Sequence, residues 1–131
     1  MAKTFDEVMQ RFREIDFAEK FDMIVAIANG GIIPAAILNQ QLDVGVYLLK
    51  INLRDSNQVP KYDTPKLVSP IDFEFKDKTI LLVEDRVKTG ASLTMATGLL
   101  KGAKLIKTFA VNGNADYYLY NESCFKFPWI L

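Results

Sequence analysis

The sequence predicts a single α/β domain with a mainly parallel central sheet flanked by helices. Three short apolar runs, at 22–28, 44–51 and 80–83, have the length and composition of strands that are buried on both faces of such a sheet. Glycine-containing turns and helix-compatible segments follow the first and third runs. The chain has 131 residues, 50% of them hydrophobic, so we expect residues 1–131 to form one domain with a sizeable core.

The composition excludes several classes of function. Sixteen basic residues balance sixteen acidic ones, so net charge gives no reason to expect a nucleic acid or an anionic membrane as partner. Histidine is absent, which excludes histidine catalysis and histidine metal ligands, and the single Cys124 excludes an intrachain disulfide. No signal peptide is recognisable, and no apolar run approaches the ~20 residues that span a bilayer. We therefore expect a cytoplasmic protein.

The first two elements are a helix and a strand that leads into two glycines. Thr4 and Glu7 have the spacing of a capping box, and apolar residues at helical spacing follow them. The run at 22–28 continues into Asn29, Gly30 and Gly31, and a second helix is expected over 32–42. Adjacent glycines at such a junction supply unhindered N–H donors for an anion, although they also serve simply to turn the chain.

The second strand and the segment after it are less regular. Lys50 stands near the end of the 44–51 strand, either reaching a ligand or exposed to solvent. Residues 52–75 contain three prolines and show no period, and a loop of this length is usually functional or mobile. Arg54, Lys61 and Tyr62 are its candidate functional residues.

The most informative stretch is ILLVEDRVKTGAS, over 80–92. A buried strand leads to the acids Glu84 and Asp85, then to a turn over 88–92, then to a helix over 93–100. A helix amino terminus offers free N–H groups and partial positive charge to a phosphate. The acids would repel phosphate alone, so the ligand should also carry hydroxyls or a metal ion, as a phosphorylated sugar does. The alternatives are plain loop chemistry and a response-regulator fold, which needs its acids on two strands.

The end of the chain is rich in aromatic residues. Strands are expected over 104–111 and 115–120, followed by a tail that contains Cys124, Phe125 and Trp129. Aromatic faces suit a planar ligand, but such a tail can equally close a core or a dimer contact.

These motifs resemble those of the type I phosphoribosyltransferases. The 80–92 stretch is similar to their binding loop for phosphoribosyl pyrophosphate (PRPP), and IVAIANGGIIPAAIL is similar to their pyrophosphate loop. The resemblance implies their fold, with a small carboxyl-terminal hood over the base. It assigns ribose binding to Glu84 and Asp85, and 5-phosphate binding to the turn that contains Lys88, Thr89, Gly90, Ala91 and Ser92. The catalytic candidates are Glu84, Asp85 and Lys88.

The resemblance also assigns the remaining parts of the site. It places pyrophosphate at Asn29, Gly30, Gly31 and Lys50, and a cis peptide bond at Ala28–Asn29. It implies that the 52–75 loop closes over the site. The base would contact the hood, through Cys124, Phe125 and Trp129.

Three positions depart from the family pattern that 6-oxopurine enzymes show. Lys88 stands where an aspartate acts as general base, and a protonated lysine cannot accept a proton. Val111 aligns with a lysine that holds the exocyclic oxygen, and Cys124 aligns with the stacking aromatic. The ribose and phosphate positions are kept, so sugar-phosphate binding is better supported than any particular base.

The resemblance implies transfer of a phosphoribosyl group from PRPP to a nitrogenous base, with a purine favoured, and release of pyrophosphate. Mg²⁺ would enter with PRPP, with Glu84 and Asp85 as its possible protein ligands. The expected partners are PRPP, a nucleobase or nucleoside monophosphate, and a second copy of the chain. The alternative is a non-catalytic regulatory protein of the same fold that binds PRPP or a nucleotide. The altered base positions favour that alternative, whereas the retained loop fits both.

Overall fold

A computed structural model describes residues 2–52 and 66–131. Its centre is a six-stranded sheet in the order β3-β2-β1-β4-β5-β6. The strands are β1 (Met23–Ala28), β2 (Gly45–Asn52), β3 (Lys66–Leu67), β4 (Thr79–Arg86), β5 (Leu105–Asn112) and β6 (Tyr117–Tyr120), and the helices are α1 (Phe5–Glu14), α2 (Ile32–Leu42) and α3 (Ala91–Leu99). All neighbouring strands pair in parallel except β3, which pairs antiparallel with β2. The predicted fold class is confirmed.

The helices cover both faces of the sheet. Val8 and Phe12 of α1 and Leu38 of α2 are buried in one apolar cluster, whereas Leu93 and Ala96 of α3 belong to the cluster on the opposite face. Every residue of β1 is buried, as expected for a central parallel strand. The predicted capping box of α1 is present, with hydrogen bonds in both directions between Thr4 and Glu7.

Strand β4 is longer than the sequence predicts. It continues past Val83 through the acid pair to Arg86, because Glu84 pairs with Ala110 and Arg86 with Asn112 of β5. The acids therefore lie in the last hydrogen-bonded residues of β4 and not in a free loop. Strand β3 has only two residues and was expected as loop, since two residues carry no period.

After β6 the chain forms a carboxyl-terminal segment, residues 121–131, that we call the hood. Phe125 and Phe127 are buried, and Phe127 packs against Trp129. The hood is attached to the amino terminus, where the ammonium of Lys3 lies 2.8 Å from the Glu122 carboxylate. Within residues 2–52 and 66–131, no helix has the length and apolar character needed to cross a membrane.

Candidate active site

An open cleft of about 1520 Å³ lies at the carboxyl ends of the central strands. This is where open parallel sheets bind ligands, since the loops after neighbouring strands converge there. Its walls come from the end of β1 and the turn after it, the end of β4, the 87–90 loop with the start of α3, and the hood. Segments that are far apart in the sequence thus form one site.

The acid pair occupies the middle of the cleft. Glu84 is only 9% exposed, and its Oε1 accepts a hydrogen bond of 3.0 Å from the Asp85 amide. Oδ1 of Asp85 accepts one of 2.7 Å from the Arg86 amide. Burial, followed by the neighbouring Asp85 charge, raises the pKa of Glu84 well above its ordinary value. The oxygens of the two carboxyl groups can accept hydrogen bonds from a pair of sugar hydroxyls.

The phosphate-type turn follows directly. Gly90 has φ 83°, a left-handed conformation that favours glycine, and it is the amino-terminal cap of α3. Ala91 donates its amide to Thr89 Oγ1 at 3.3 Å. The side chains of Lys88 and Thr89 are exposed, and Lys88, Thr89, Gly90, Ala91 and Ser92 all line the cleft. The structure brings together every residue predicted for this turn.

The two glycines after β1 have different environments. A Cβ on Gly30 would lie 2.5 Å from Asp85 Oδ1, so this glycine allows the turn after β1 to approach the acid pair at the end of β4. Gly31 does not line the cleft, because its amide donates to Ile27 O at 2.8 Å and a Cβ would lie 2.3 Å from Val83 O. Of the predicted pyrophosphate residues, Asn29, Gly30 and Lys50 therefore face the cleft and Gly31 does not.

The backbone ahead of these glycines has the expected geometry. The peptide bond between Ala28 and Asn29 is cis, which confirms that prediction. Arg54, Lys61 and Tyr62 lie outside the described residues.

The hood provides the aromatic wall of the cleft. Trp129 stacks on Phe127 with ring centroids 5.2 Å apart and planes 17° apart. Phe125 is buried and meets Phe127 edge-on, whereas Cys124 is exposed at the rim. The three predicted base-binding residues, Cys124, Phe125 and Trp129, all line the cleft. The two aromatic ones also pack against Phe127, so they combine core packing with a position that faces the cleft.

Val111 lies elsewhere. It is fully buried in the core beside Phe109, and it does not line the cleft. The Val111 side chain is therefore not positioned to contact a ligand in the cleft.

Arg86 was missed in the sequence analysis. It lines the cleft, its Nη2 donates to Phe125 O at 2.6 Å, and its guanidinium lies 4.5 Å from the Phe127 ring centroid. The sequence feature that could have identified Arg86 is its position as a cation between the acid pair and the apolar Val87. Its link to the hood, 39 residues away, was not readable from local pattern.

The acid pair also fits a metal that arrives with its ligand. No group of three or more metal-binding side chains exists among the residues that the structure describes. Mg²⁺ is often held by one or two carboxylates together with substrate phosphates. Glu84 and Asp85 supply two carboxyl groups at the carboxyl end of β4, so they fit that mode.

Comparison with known proteins decides the family. The sequence model of the phosphoribosyl transferase domain matches residues 2–127. The chain belongs to the phosphoribosyltransferase family. This confirms the resemblance found in the sequence and the predicted transferase class.

The relatives of this phosphoribosyltransferase include purine enzymes. The crystal structure of the purine phosphoribosyltransferase from Pyrococcus horikoshii has a TM-score of 0.80 and 28% identity, covering 98% of this chain and 92% of that one. A xanthine-guanine phosphoribosyltransferase of Idiomarina loihiensis is 23% identical over 118 residues, which are 86% of this chain and 73% of the relative. An adenine phosphoribosyltransferase of Nitrosomonas eutropha is 28% identical over 116 residues, covering 79% and 62%.

Proposed function

We propose that this protein transfers the phosphoribosyl group of PRPP to a purine base and releases pyrophosphate. The observation that carries the proposal is the acid pair at the end of β4, which lies between Gly30 on one side and the 88–92 turn on the other. The two turns suit anionic groups, and the acids suit the hydroxyls that separate those groups in PRPP.

The residues of the cleft suggest how PRPP binds. Glu84 and Asp85 would hold the two ribose hydroxyls, and the 88–92 turn would hold the 5-phosphate through its backbone and the Thr89 and Ser92 hydroxyls. Lys88 would add a positive charge beside that phosphate. Mg²⁺, held by the pyrophosphate of PRPP and by Glu84 or Asp85, would neutralise part of the ligand's charge.

The reaction breaks the bond between ribose C1 and the pyrophosphate oxygen and forms a bond between C1 and a base nitrogen. That nitrogen gives up its proton to solvent. Positive charge develops on the ribose ring, and a nearby carboxylate would offset it. Negative charge develops on the leaving pyrophosphate. Lys50 and the Gly30 amide would stabilise that charge. Both line the cleft, and the Gly30 amide makes no hydrogen bond to a described residue.

The expected homodimer and cytoplasmic location belong to the same proposal. Val46, Tyr47 and Leu48 on β2 are 36%, 41% and 40% exposed, and this apolar stretch supports association with a second copy.

Binding of PRPP tests the site directly. In the presence of Mg²⁺, Asp85→Asn should bind PRPP at least about tenfold more weakly than the wild type, because a charged partner of the ligand's hydroxyls is lost. Asp16→Asn changes an exposed acid outside the cleft and should leave the affinity unchanged. Equal PRPP affinity in all three proteins, measured by calorimetry, would contradict the assignment.

The regulatory alternative keeps one specific observation in its favour. Among the described residues, four cationic side chains and two acids line the cleft, the cations being Lys50, Arg86, Lys88 and Lys126. Such a surplus suits a polyphosphate ligand, and Lys88 replaces a general base. A protein that binds PRPP or a nucleotide but turns over no base would have this function.

A further inference from the structure

Arg86 joins the sugar-binding acids to the hood. Its backbone amide donates to the Asp85 carboxylate, and its side chain reaches the opposite wall of the cleft at Phe125 O. The guanidinium lies over the Phe127 ring, and that ring is stacked in turn on Trp129. A planar cation is thus held at the end of the cleft where the aromatic wall would receive a base.

The hydrogen-bonding capacity of Arg86 is mostly unused. Five N–H groups are available on a guanidinium, and Phe125 O takes one of them. Nε is buried and has no partner among the described residues, and Nη1 makes no hydrogen bond to them. Arg86 also forms no salt bridge with any carboxylate among the described residues. A partly buried cation in this state calls for an acceptor supplied by a ligand.

The chemistry of purines defines which ligand fits. The O6 and N7 atoms of an oxopurine are both acceptors, and arginine pairs with that edge through two N–H groups. Adenine presents an amino group in place of O6, so an arginine there would meet donor against donor. Contact with the Phe127 ring restricts the guanidinium plane and keeps its N–H fork aimed in a fixed direction.

We propose that Arg86 is the residue that selects the base, and that it favours a purine with an exocyclic oxygen over adenine. This inference rests on the proposed function, because it assumes that the hood end of the cleft receives the base. It also accounts for Val111, which is buried in the core and cannot supply that contact.

Binding of two nucleoside monophosphates tests the inference without requiring turnover. We expect the wild type to bind inosine monophosphate (IMP) at least about tenfold more tightly than adenosine monophosphate (AMP), as one charge-assisted hydrogen bond permits. Arg86→Met should lose most of that difference, chiefly through weaker IMP binding. Arg13→Met, at an exposed arginine on α1 that lies outside the cleft, is the matched control and should keep the preference.

The outcomes separate this inference from the proposed function. An unchanged IMP preference in Arg86→Met, or an equal loss of both ligands, would show that Arg86 only holds the hood, and would overturn the inference alone. Failure of the wild type to bind PRPP, IMP or AMP would overturn the proposed function as well. If thermal melting shows that Arg86→Met is unfolded, Arg86→Lys replaces it. Lysine lacks the planar fork, so the preference should fall about threefold or more, and an unchanged preference would contradict the inference.

Discussion

At the scale of single residues, the site depends on close approach between the turn after β1 and the end of β4. The Asp85 carboxylate lies where a side chain on Gly30 would be, and Gly31 lies equally close to the backbone of β4 at Val83. The two glycines are adjacent in sequence but have different roles. Gly30 leaves room for the Asp85 carboxylate, whereas Gly31 allows close packing against the backbone of the strands.

Alanine substitutions should separate these two roles. Gly31→Ala places a Cβ against a backbone carbonyl that cannot move freely, so it should lower the free energy of unfolding by about 2 kcal/mol. Gly30→Ala displaces the movable Asp85 side chain, so it should weaken PRPP binding by about tenfold with a smaller loss of stability. Denaturant titration and calorimetry measure the two effects.

Gly98→Ala is the control for both substitutions. A Cβ at Gly98 meets nothing within 4 Å, and the residue lies in α3, so this change should stabilise the protein by about 0.5–1 kcal/mol. PRPP affinity in Gly30→Ala equal to that of the wild type would contradict the role given to Gly30.

Lys88 is the residue at which the proposed chemistry departs most from the family pattern. Lys88→Asp supplies a carboxylate that can accept a proton from the base and removes a positive charge from the phosphate turn. We expect both kcat with a purine and KM for PRPP to rise in steady-state assays. A fall in kcat with KM unchanged would show that the lysine itself acts in the reaction.

At the residue scale, positions in the cleft could be predicted where the information was local. The acids, the 88–92 turn and the cis bond before Asn29 are carried by contiguous motifs. Three features depend on which strand or segment lies opposite each residue, and one sequence does not contain that information. They are the difference between Gly30 and Gly31, the burial of Val111, and the contact from Arg86 to Phe125.

At the scale of elements, α1 holds β6, the strand that leads into the hood, as well as covering the sheet. Arg11 of α1 donates from Nη1 to Leu119 O at 3.1 Å, and Lys3 lies over the Tyr120 ring at 4.5 Å. The wall that would receive the base is therefore supported by the first residues of the chain.

The capping box of α1 gives an element-level prediction. Thr4→Ala removes the acceptor of the Glu7 amide, at 3.2 Å, and should cost about 1 kcal/mol of stability. Thr94→Ala, at an exposed threonine inside α3, should leave stability unchanged or slightly raised. Denaturant titration of both variants checks this, and equal stability of Thr4→Ala and the wild type would show that the cap is not needed.

Strands and helices with a clear apolar pattern were predicted to within two residues. The carboxyl end of β4 was placed three residues short, because its last residues are polar and are recruited to the sheet by pairing with β5. A buried polar residue at the end of a strand, such as Glu84, thus indicates a functional site.

At the scale of the whole molecule, the site carries a cost in stability that depends on pH. The pKa of Glu84 in the folded protein is raised well above its ordinary value of 4.5 by burial and by Asp85. Between these two values the folded protein binds more protons than the unfolded chain, so the free energy of unfolding falls as pH rises.

Glu84→Gln should remove that contribution. We expect its stability relative to the wild type to increase as the pH rises above 4.5, the ordinary pKa of a glutamate, with PRPP binding weakened. Guanidinium titrations of both proteins across this range measure the difference. A difference that does not change with pH would contradict a raised pKa at Glu84.

The central claim is that the cleft transfers a phosphoribosyl group from PRPP to a base. The most direct measurement is pyrophosphate release from PRPP and Mg²⁺ with hypoxanthine, guanine, xanthine, adenine, orotate and uracil in turn. We predict release with an oxopurine and formation of the corresponding nucleoside monophosphate. No release with any of the six bases, from folded protein that binds PRPP, would contradict the claim and leave a binding protein of the same fold.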